Sequence, residues 1–97
     1  MGIGTAVVGV GYWGPNLVRN LASTEDCDLL MVCDRDAARR ESVGRQHPGV
    51  QLTDSVDDVL SDSRVDAVVV STPADTHYEL ALRVLESGRS VFVEKPL

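Results

Sequence analysis

The most informative part of this chain is Ala6-Val-Val-Gly-Val-Gly-Tyr-Trp-Gly-Pro-Asn16. Its glycines, Gly9, Gly11 and Gly14, have the spacing G-x-G-x-x-G and stand between an apolar run and an amphipathic one. In a strand–turn–helix unit, the first glycine allows the tight turn and the second lets the backbone approach a pyrophosphate. The third lets helix and strand pack closely. Because the N–H groups and dipole of the following helix favour an anion, the stretch predicts a dinucleotide phosphate site.

The flanking sequence supports this interpretation, which matters because glycines at this spacing also occur in ordinary loops. Thr5–Val10 is a short β-branched run of the kind found in buried parallel strands. Pro15 suits the first turn of a helix, where its missing N–H costs nothing. The helix predicted over Pro15–Ser23 has one apolar face, formed by Trp13, Leu17, Leu21 and Ala22.

An acidic residue about twenty positions beyond the glycines completes the fingerprint. Asp34 follows the apolar run Leu29–Cys33 and lies twenty residues after Gly14. A carboxylate there accepts hydrogen bonds from the adenosine ribose and repels a 2′-phosphate, which favours NAD. Arg35 leaves NADP open, because its guanidinium could bind that phosphate or stack on adenine. Ordinary polar residues at a strand end are the simpler alternative for both.

Composition limits the class of protein. The chain has 97 residues, of which 43% are hydrophobic and 25% charged, and this average usage predicts one small folded domain. A net charge of −6 argues against nucleic acid and against an anionic membrane as partners. Since no apolar run is long enough to span a membrane and no signal-peptide pattern is present, we expect a cytoplasmic location. Cys27 and Cys33 fit no metal spacing or disulfide framework, and Cys33 is expected to pack as a small hydrophobe.

Apolar runs and amphipathic segments alternate along the rest of the chain. Further strands are predicted over Leu29–Cys33, Val50–Leu52, Asp66–Val70 and Ser90–Val93. Further helices are predicted over Ala37–Gly44 with Asp36 as N-cap, from a capping pattern at Ser55–Asp58 through Leu60, and from a capping box at Thr76–Glu79 to a stop at Gly88. The alternation predicts an α/β fold, a doubly wound parallel Rossmann sheet of about five strands between two helix layers. In such a sheet the ligand binds at the carboxyl ends of the strands.

Polar residues follow the fourth predicted strand at that edge. Ser71, Thr72 and Pro73 come directly after the strand, and His77 lies one helical turn later. A simple strand-to-helix turn accounts for Thr72 and Pro73, and spacing alone favours a solvent-facing position for His77. Because His77 has no cysteine or carboxylate partner at metal spacing, we expect no metal site there.

Glu94 and Lys95 follow the fifth predicted strand, at the same edge. A lysine in this position is able to orient a substrate hydroxyl or help move its proton. A solvated lysine near the chain end is the alternative. That alternative is weakened because eight of the nine basic residues are arginines and Lys95 is the only lysine.

Taken together, these residues resemble the nucleotide-binding half of the glucose–fructose oxidoreductase / inositol dehydrogenase / MocA family. The resemblance spans nearly the whole chain and rests on Gly9–Gly14, Asp34, Val68–Pro73 with His77, and Glu94–Pro96. The form Gly-Tyr-Trp-Gly-Pro-Asn is especially similar to members that oxidise nucleotide-linked sugars.

The resemblance implies reversible hydride transfer between a hydroxyl-bearing sugar carbon and C4 of a nicotinamide. The residues implied at the cofactor, from the adenosine end through the pyrophosphate to the nicotinamide, are Asp34 and Arg35, then Gly9, Gly11, Tyr12, Trp13 and Gly14, then Ser71, Thr72, Pro73, His77, Glu94 and Lys95. Lys95 is implied as the catalytic residue of this half, in contact with both the nicotinamide ribose and the substrate hydroxyl.

Family members continue past the Glu-Lys-Pro motif into a second α/β domain, whereas this chain stops one residue after Pro96. We therefore expect residues 1–97 to be a truncated Rossmann domain that lacks the family's C-terminal α/β domain, holds the cofactor weakly and turns over no substrate alone. An uncovered apolar surface and an unpaired strand edge predict a homo-oligomer. One alternative function is a non-catalytic dinucleotide-sensing module, which Lys95 disfavours. The other is a methyltransferase using S-adenosylmethionine, which the third glycine, Thr72-Pro73 and Lys95 disfavour.

Overall fold

The computed structural model describes residues 2–9, 14–71 and 74–93, without the side chains of residues 14–17 and 74–77. Strands and helices alternate through these residues, as the sequence predicts. Their bounds are β1 (Ile3–Val8), α1 (Gly14–Ser23), β2 (Cys27–Cys33), α2 (Ala37–Gln46), β3 (Gln51–Thr53), α3 (Val56–Ser61), β4 (Ala67–Val70), α4 (Ala74–Glu86) and β5 (Ser90–Val93).

The strands form one parallel sheet in the order β3-β2-β1-β4-β5. The chain runs outward from β1 through β2 to β3, then crosses to the other side of β1 for β4 and β5. The predicted doubly wound α/β fold is therefore confirmed. The topological switch point lies between β1 and β4, and ligands of such sheets bind there, outside the carboxyl ends of the strands.

Both faces of the sheet are covered, because successive strand residues point to opposite sides. On one face, Val8 and Val68 are buried with Val59 of α3 and Val84 of α4. On the other face, Val7, Val32 and Val69 are buried with Val18 of α1 and Val43 of α2. Cys33 is buried in the first of these clusters, in the small-hydrophobe role that the sequence predicts.

The residues that α1 buries differ in part from its predicted apolar face. Val18 is fully buried and Leu21 is half-buried against the same cluster, whereas Ala22 is exposed. Trp13 and the side chain of Leu17 lie outside the described residues. In the described part of α1 the buried side is thus centred on Val18, which does not belong to the predicted apolar face.

The helices α3 and α4 both exist, but neither predicted capping pattern holds in full. Ser55 is the N-cap residue of α3, as the pattern predicts, although its side chain makes no cap hydrogen bond. α4 begins at Ala74, so Thr76–Glu79 lies inside the helix and not at its N-terminus. By contrast, Asp36 caps α2 as predicted, accepting from the N–H groups of Ala38 at 2.8 Å and Arg39 at 3.2 Å.

Candidate cofactor site

Three residues singled out from the sequence lie side by side at the carboxyl edge of the sheet. Each follows the end of a strand: Gly9 after β1, Asp34 after β2 and Ser71 after β4. Their backbone N–H groups extend the parallel ladder, from Gly9 to Cys33 O at 2.7 Å and from Ser71 to Val8 O at 2.8 Å. The Asp34 N–H donates in the same way to Thr53 O at 3.0 Å. The hydrogen bonds of the sheet itself therefore place these residues together.

Gly9 directly follows β1 and adopts a left-handed backbone conformation, with φ at +87°. It is also buried, and a side chain at this position would adopt an unfavourable dihedral angle. Gly14 is the first residue of α1. The residues between them, including Gly11, Tyr12 and Trp13, lie outside the described part. The structure thus places Gly9, directly after a strand, five positions before Gly14, where a helix begins, as a phosphate-binding turn requires.

Asp34 is fixed at the end of β2 by both its side chain and its backbone. Its residue surface is only 7% exposed, and its Oδ1 accepts from the N–H of Asp36 at 2.8 Å. Its carbonyl oxygen accepts from Nη1 of Arg40 at 2.7 Å. Arg35, the other residue predicted at the adenosine end, is exposed. The buried carboxylate therefore has a defined position at the sheet edge, whereas the guanidinium of Arg35 lies at the surface.

Acidic side chains act on the buried Cys33 thiol at the end of β2. The pKa of the Cys33 thiol is raised to about 11, first by burial and then by the carboxylates of Asp34, Asp54 and Asp58, with Arg40 acting in the opposite direction. A protonated thiol is a poor nucleophile, so Cys33 has a packing role at neutral pH. The Asp34 carboxylate accepts hydrogen bonds from ribose hydroxyls and repels a phosphate attached to the ribose 2′ position.

A second hydrogen-bond network ties the neighbouring strand end into place. Thr53 Oγ1 accepts from the N–H of Ser55 at 3.1 Å and donates to the carboxylate of Asp58. Since the Thr53 carbonyl also accepts from Asp34, the turn after β3 supports the turn after β2.

The sequence does not predict the supporting contacts that Thr53, Asp58 and Arg40 make at this edge. One signal was available for Arg40, which stands in the fourth position of α2. A cation near a helix N-terminus is unfavourable with respect to the helix dipole, so a specific partner for it was to be expected.

The remaining predicted site residues are placed only in part. Ser71 is half-buried at the end of β4, and His77 is the fourth residue of α4, with its side chain outside the described part. Thr72, Pro73, Glu94 and Lys95 lie outside the described residues. Within the described part, no three His, Cys, Asp or Glu side chains are grouped to hold a metal ion. The helices described there are also too short or too polar to cross a membrane.

Residues 3–97 match the family model described as "Oxidoreductase family, NAD-binding Rossmann fold". Among curated relatives, the scyllo-inositol 2-dehydrogenase (NAD(+)) of Bacillus subtilis strain 168 is 36% identical over 93 residues, covering 95% of this chain and 27% of that protein. An uncharacterized oxidoreductase of Streptococcus pneumoniae serotype 4 is 33% identical over 91 residues, covering 94% of this chain and 24% of that protein. The chain thus spans about a quarter of the length of these relatives.

Solved structures share the fold closely. GenD2 from gentamicin A biosynthesis, crystallised in complex with NAD, superposes with a TM-score of 0.90 at 40% identity, covering 99% of this chain and 27% of GenD2. The myo-inositol 2-dehydrogenase of Lactobacillus plantarum also gives 0.90, at 26% identity, covering 99% of this chain and 29% of that one. These matches point to the same kind of domain as the glycine after β1 and the buried acidic residue after β2. The chain belongs to the glucose–fructose oxidoreductase / inositol dehydrogenase / MocA family, of which it is the NAD-binding Rossmann domain.

Proposed function

We propose that this chain supplies the cofactor half of an oxidoreductase that moves a hydride between nicotinamide C4 and a hydroxyl-bearing carbon of a sugar or nucleotide-linked sugar. The observation that carries the proposal is the alignment of Gly9, Asp34 and Ser71 along one sheet edge beside the switch point. Two of the similar proteins named above are inositol dehydrogenases, and their names support a polyhydroxylated substrate. The activity of a whole enzyme is part of this proposal, because the chain spans about a quarter of the length of the curated relatives it matches.

The adenosine half of the dinucleotide is proposed to lie between Gly9 and Asp34. The residues fit this group, because Gly9 adopts a conformation that suits glycine and Asp34 presents a buried carboxylate to the same edge. The backbone N–H groups in the first turn of α1, to which Pro15 contributes none, have no acceptor within their own helix and are suited to phosphate oxygens. Gly11, Tyr12 and Trp13 are assigned to the same phosphates by the motif, and Arg35 to the adenine.

The nicotinamide end is proposed to lie over β4 and β5, following the family's motifs. Ser71, Thr72, Pro73 and His77 are assigned to the ring side. Glu94 and Lys95 are assigned to the nicotinamide ribose. When bound, NAD supplies the hydride acceptor at nicotinamide C4. Lys95 is proposed to hold the substrate hydroxyl and help move its proton as the carbon is oxidised.

The proposed cofactor preference is NAD over NADP, with NADP as the less favoured ligand. Asp34→Asn tests it, because the amide oxygen can still accept from the Asp36 N–H while the charge is lost. We expect the Kd for NAD⁺, measured by calorimetric titration, to rise about tenfold and the Kd for NADP⁺ to change less. A wild-type chain that prefers S-adenosylmethionine would contradict the proposed function altogether.

We propose a cytoplasmic location, which the free thiols of Cys27 and Cys33 support. We also propose that the chain forms a homo-oligomer through β5, which is an edge strand with exposed apolar side chains.

A further inference from the structure

We propose that Arg40 is a positioning residue for the cofactor, holding the turn that carries Asp34 so that the carboxylate meets the adenosine ribose. Arg40 would thereby set both the affinity for NAD and the discrimination against NADP without contacting either molecule. This inference rests on the proposed function, since it takes the adenosine ribose to lie at Asp34.

The contacts of Asp34 divide between its carboxylate and its backbone. The Asp36 N–H holds the carboxylate at 2.8 Å, and the Thr53 carbonyl holds the Asp34 N–H at 3.0 Å. The Asp34 carbonyl is held at 2.7 Å by Nη1 of Arg40, which reaches back six residues from α2. Because α2 begins three residues after Asp34, this contact fastens the strand end to the helix across the whole turn.

The surroundings of Arg40 explain why an arginine stands at this point. Its position in the first half of α2 places a cation where the helix dipole opposes it. The Asp34 carbonyl oxygen offsets this cost by accepting a hydrogen bond from the charged guanidinium at 2.7 Å. A guanidinium with a charge-assisted hydrogen bond to a carbonyl is therefore stable here.

Arg40 differs from the other arginines of the same helix in burial. It is half-buried, whereas Arg39 and Arg45 are exposed. Arg45 contacts Glu41 at 3.8 Å, a surface pair that contributes little to stability. Arg45 is therefore a matched control for the loss of one positive charge from α2.

The test titrates NAD⁺ and NADP⁺ into the wild-type chain and into Arg40→Met, Arg40→Lys and Arg45→Met. Thermal unfolding is followed in parallel. For Arg40→Met we expect about a five- to tenfold higher Kd for NAD⁺ and little change for NADP⁺, so the preference for NAD falls by a similar factor. Arg40→Lys retains a donor for the Asp34 carbonyl and is expected within about threefold of wild type. Arg45→Met is expected to match wild type in both titrations.

The direction of the change in preference distinguishes positioning from other roles. If Arg40 bound the 2′-phosphate directly, its loss would weaken NADP⁺ more than NAD⁺. If it were merely structural, both affinities would fall together with the melting temperature. Either result overturns the proposal, as does an Arg40→Met chain that binds NAD⁺ like the wild type.

A double variant separates failure of this inference from failure of the proposed function. If Arg40 acts by aiming the Asp34 carboxylate, Arg40→Met adds no further loss of NAD⁺ affinity in the Asp34→Asn background. Full additivity of the two effects contradicts the inference while leaving the cofactor site intact. By contrast, a wild-type chain that binds no NAD⁺, or one whose affinity is unchanged by Asp34→Asn, contradicts the proposed placement of the cofactor itself.

Discussion

At the residue scale, Gly9 and Gly88 share a backbone conformation but differ in what surrounds them. Their φ angles are +87° and +85°, in the region that L side chains rarely adopt. Gly88 ends α4, and a Cβ built there would meet no atom within 4 Å. Gly9 is buried at the sheet edge where the cofactor is proposed to bind. Substitution of Gly88 therefore measures the cost of the dihedral angle alone, whereas at Gly9 the same dihedral angle occurs at a buried position beside the proposed cofactor.

Alanine substitutions at these glycines separate the cost of the dihedral angle from the effect on cofactor binding. Gly88→Ala is expected to lower the free energy of unfolding by about 1–2 kcal/mol, the cost of left-handed backbone for an L residue. Gly9→Ala is expected to lower it by at least as much and to raise the Kd for NAD⁺ more than tenfold. Gly49→Ala is the control, since Gly49 has open space around it and no positive φ, and it should be close to neutral. Urea unfolding and calorimetric titration measure both quantities, and undiminished NAD⁺ binding by Gly9→Ala contradicts the assigned role.

At the element scale, α3 is positioned by the residue that ends β3. The spacing of Ser55 and Asp58 matches a capping pattern, but both residues form hydrogen bonds with Thr53. The Thr53 hydroxyl accepts from the Ser55 N–H and donates to the Asp58 carboxylate, and the Ser55 side chain makes no cap hydrogen bond. The sequence signal was correct about the helix start and wrong about the atoms that stabilise it.

This difference predicts that removing the Thr53 hydroxyl destabilises the chain more than removing the Ser55 hydroxyl. Thr53→Val keeps the shape of the side chain but leaves the Ser55 N–H and the Asp58 carboxylate without their hydroxyl partner, and should lower the free energy of unfolding by about 1–3 kcal/mol. Ser55→Ala removes a hydroxyl that makes no cap hydrogen bond and should change it by less than about 0.5 kcal/mol. Urea unfolding curves of the two variants test the pair. A larger effect at Ser55 than at Thr53 would show that the capping box exists in solution.

Local patterns along the chain were sufficient to predict its elements but not the contacts between them. The strand over Ser90–Val93, the Asp36 cap and the stop at Gly88 each depend on neighbouring residues alone, and each is confirmed. The roles of Thr53 and Arg40 depend on two turns meeting at the sheet edge, which local periodicity does not encode. The cofactor motif could be recognised because its glycines and Asp34 keep a fixed spacing within one strand–helix–strand unit.

At the scale of the whole molecule, apolar surface is concentrated on β5 and the adjoining helix. β5 forms one edge of the sheet, paired with β4 in the described part. Phe92 is 61% exposed, although its register partner Val69 is buried on the face that α1 and α2 cover. The opposite edge strand, β3, has only three residues and is less suited to pairing. The β5 edge is therefore the surface through which we propose self-association.

Sedimentation velocity over a range of concentrations tests this proposal. We expect the wild-type chain to sediment as a dimer joined through its two β5 strands, because this pairing satisfies edge N–H and C=O groups and covers Phe92. Phe92→Lys should shift the population to monomer without unfolding the chain, since the side chain is already largely exposed. Ile3→Lys is the matched control, because Ile3 is an exposed apolar residue on β1, in the centre of the sheet. A wild-type monomer at the highest concentration, or a dimer that persists in Phe92→Lys, rules out association through this edge.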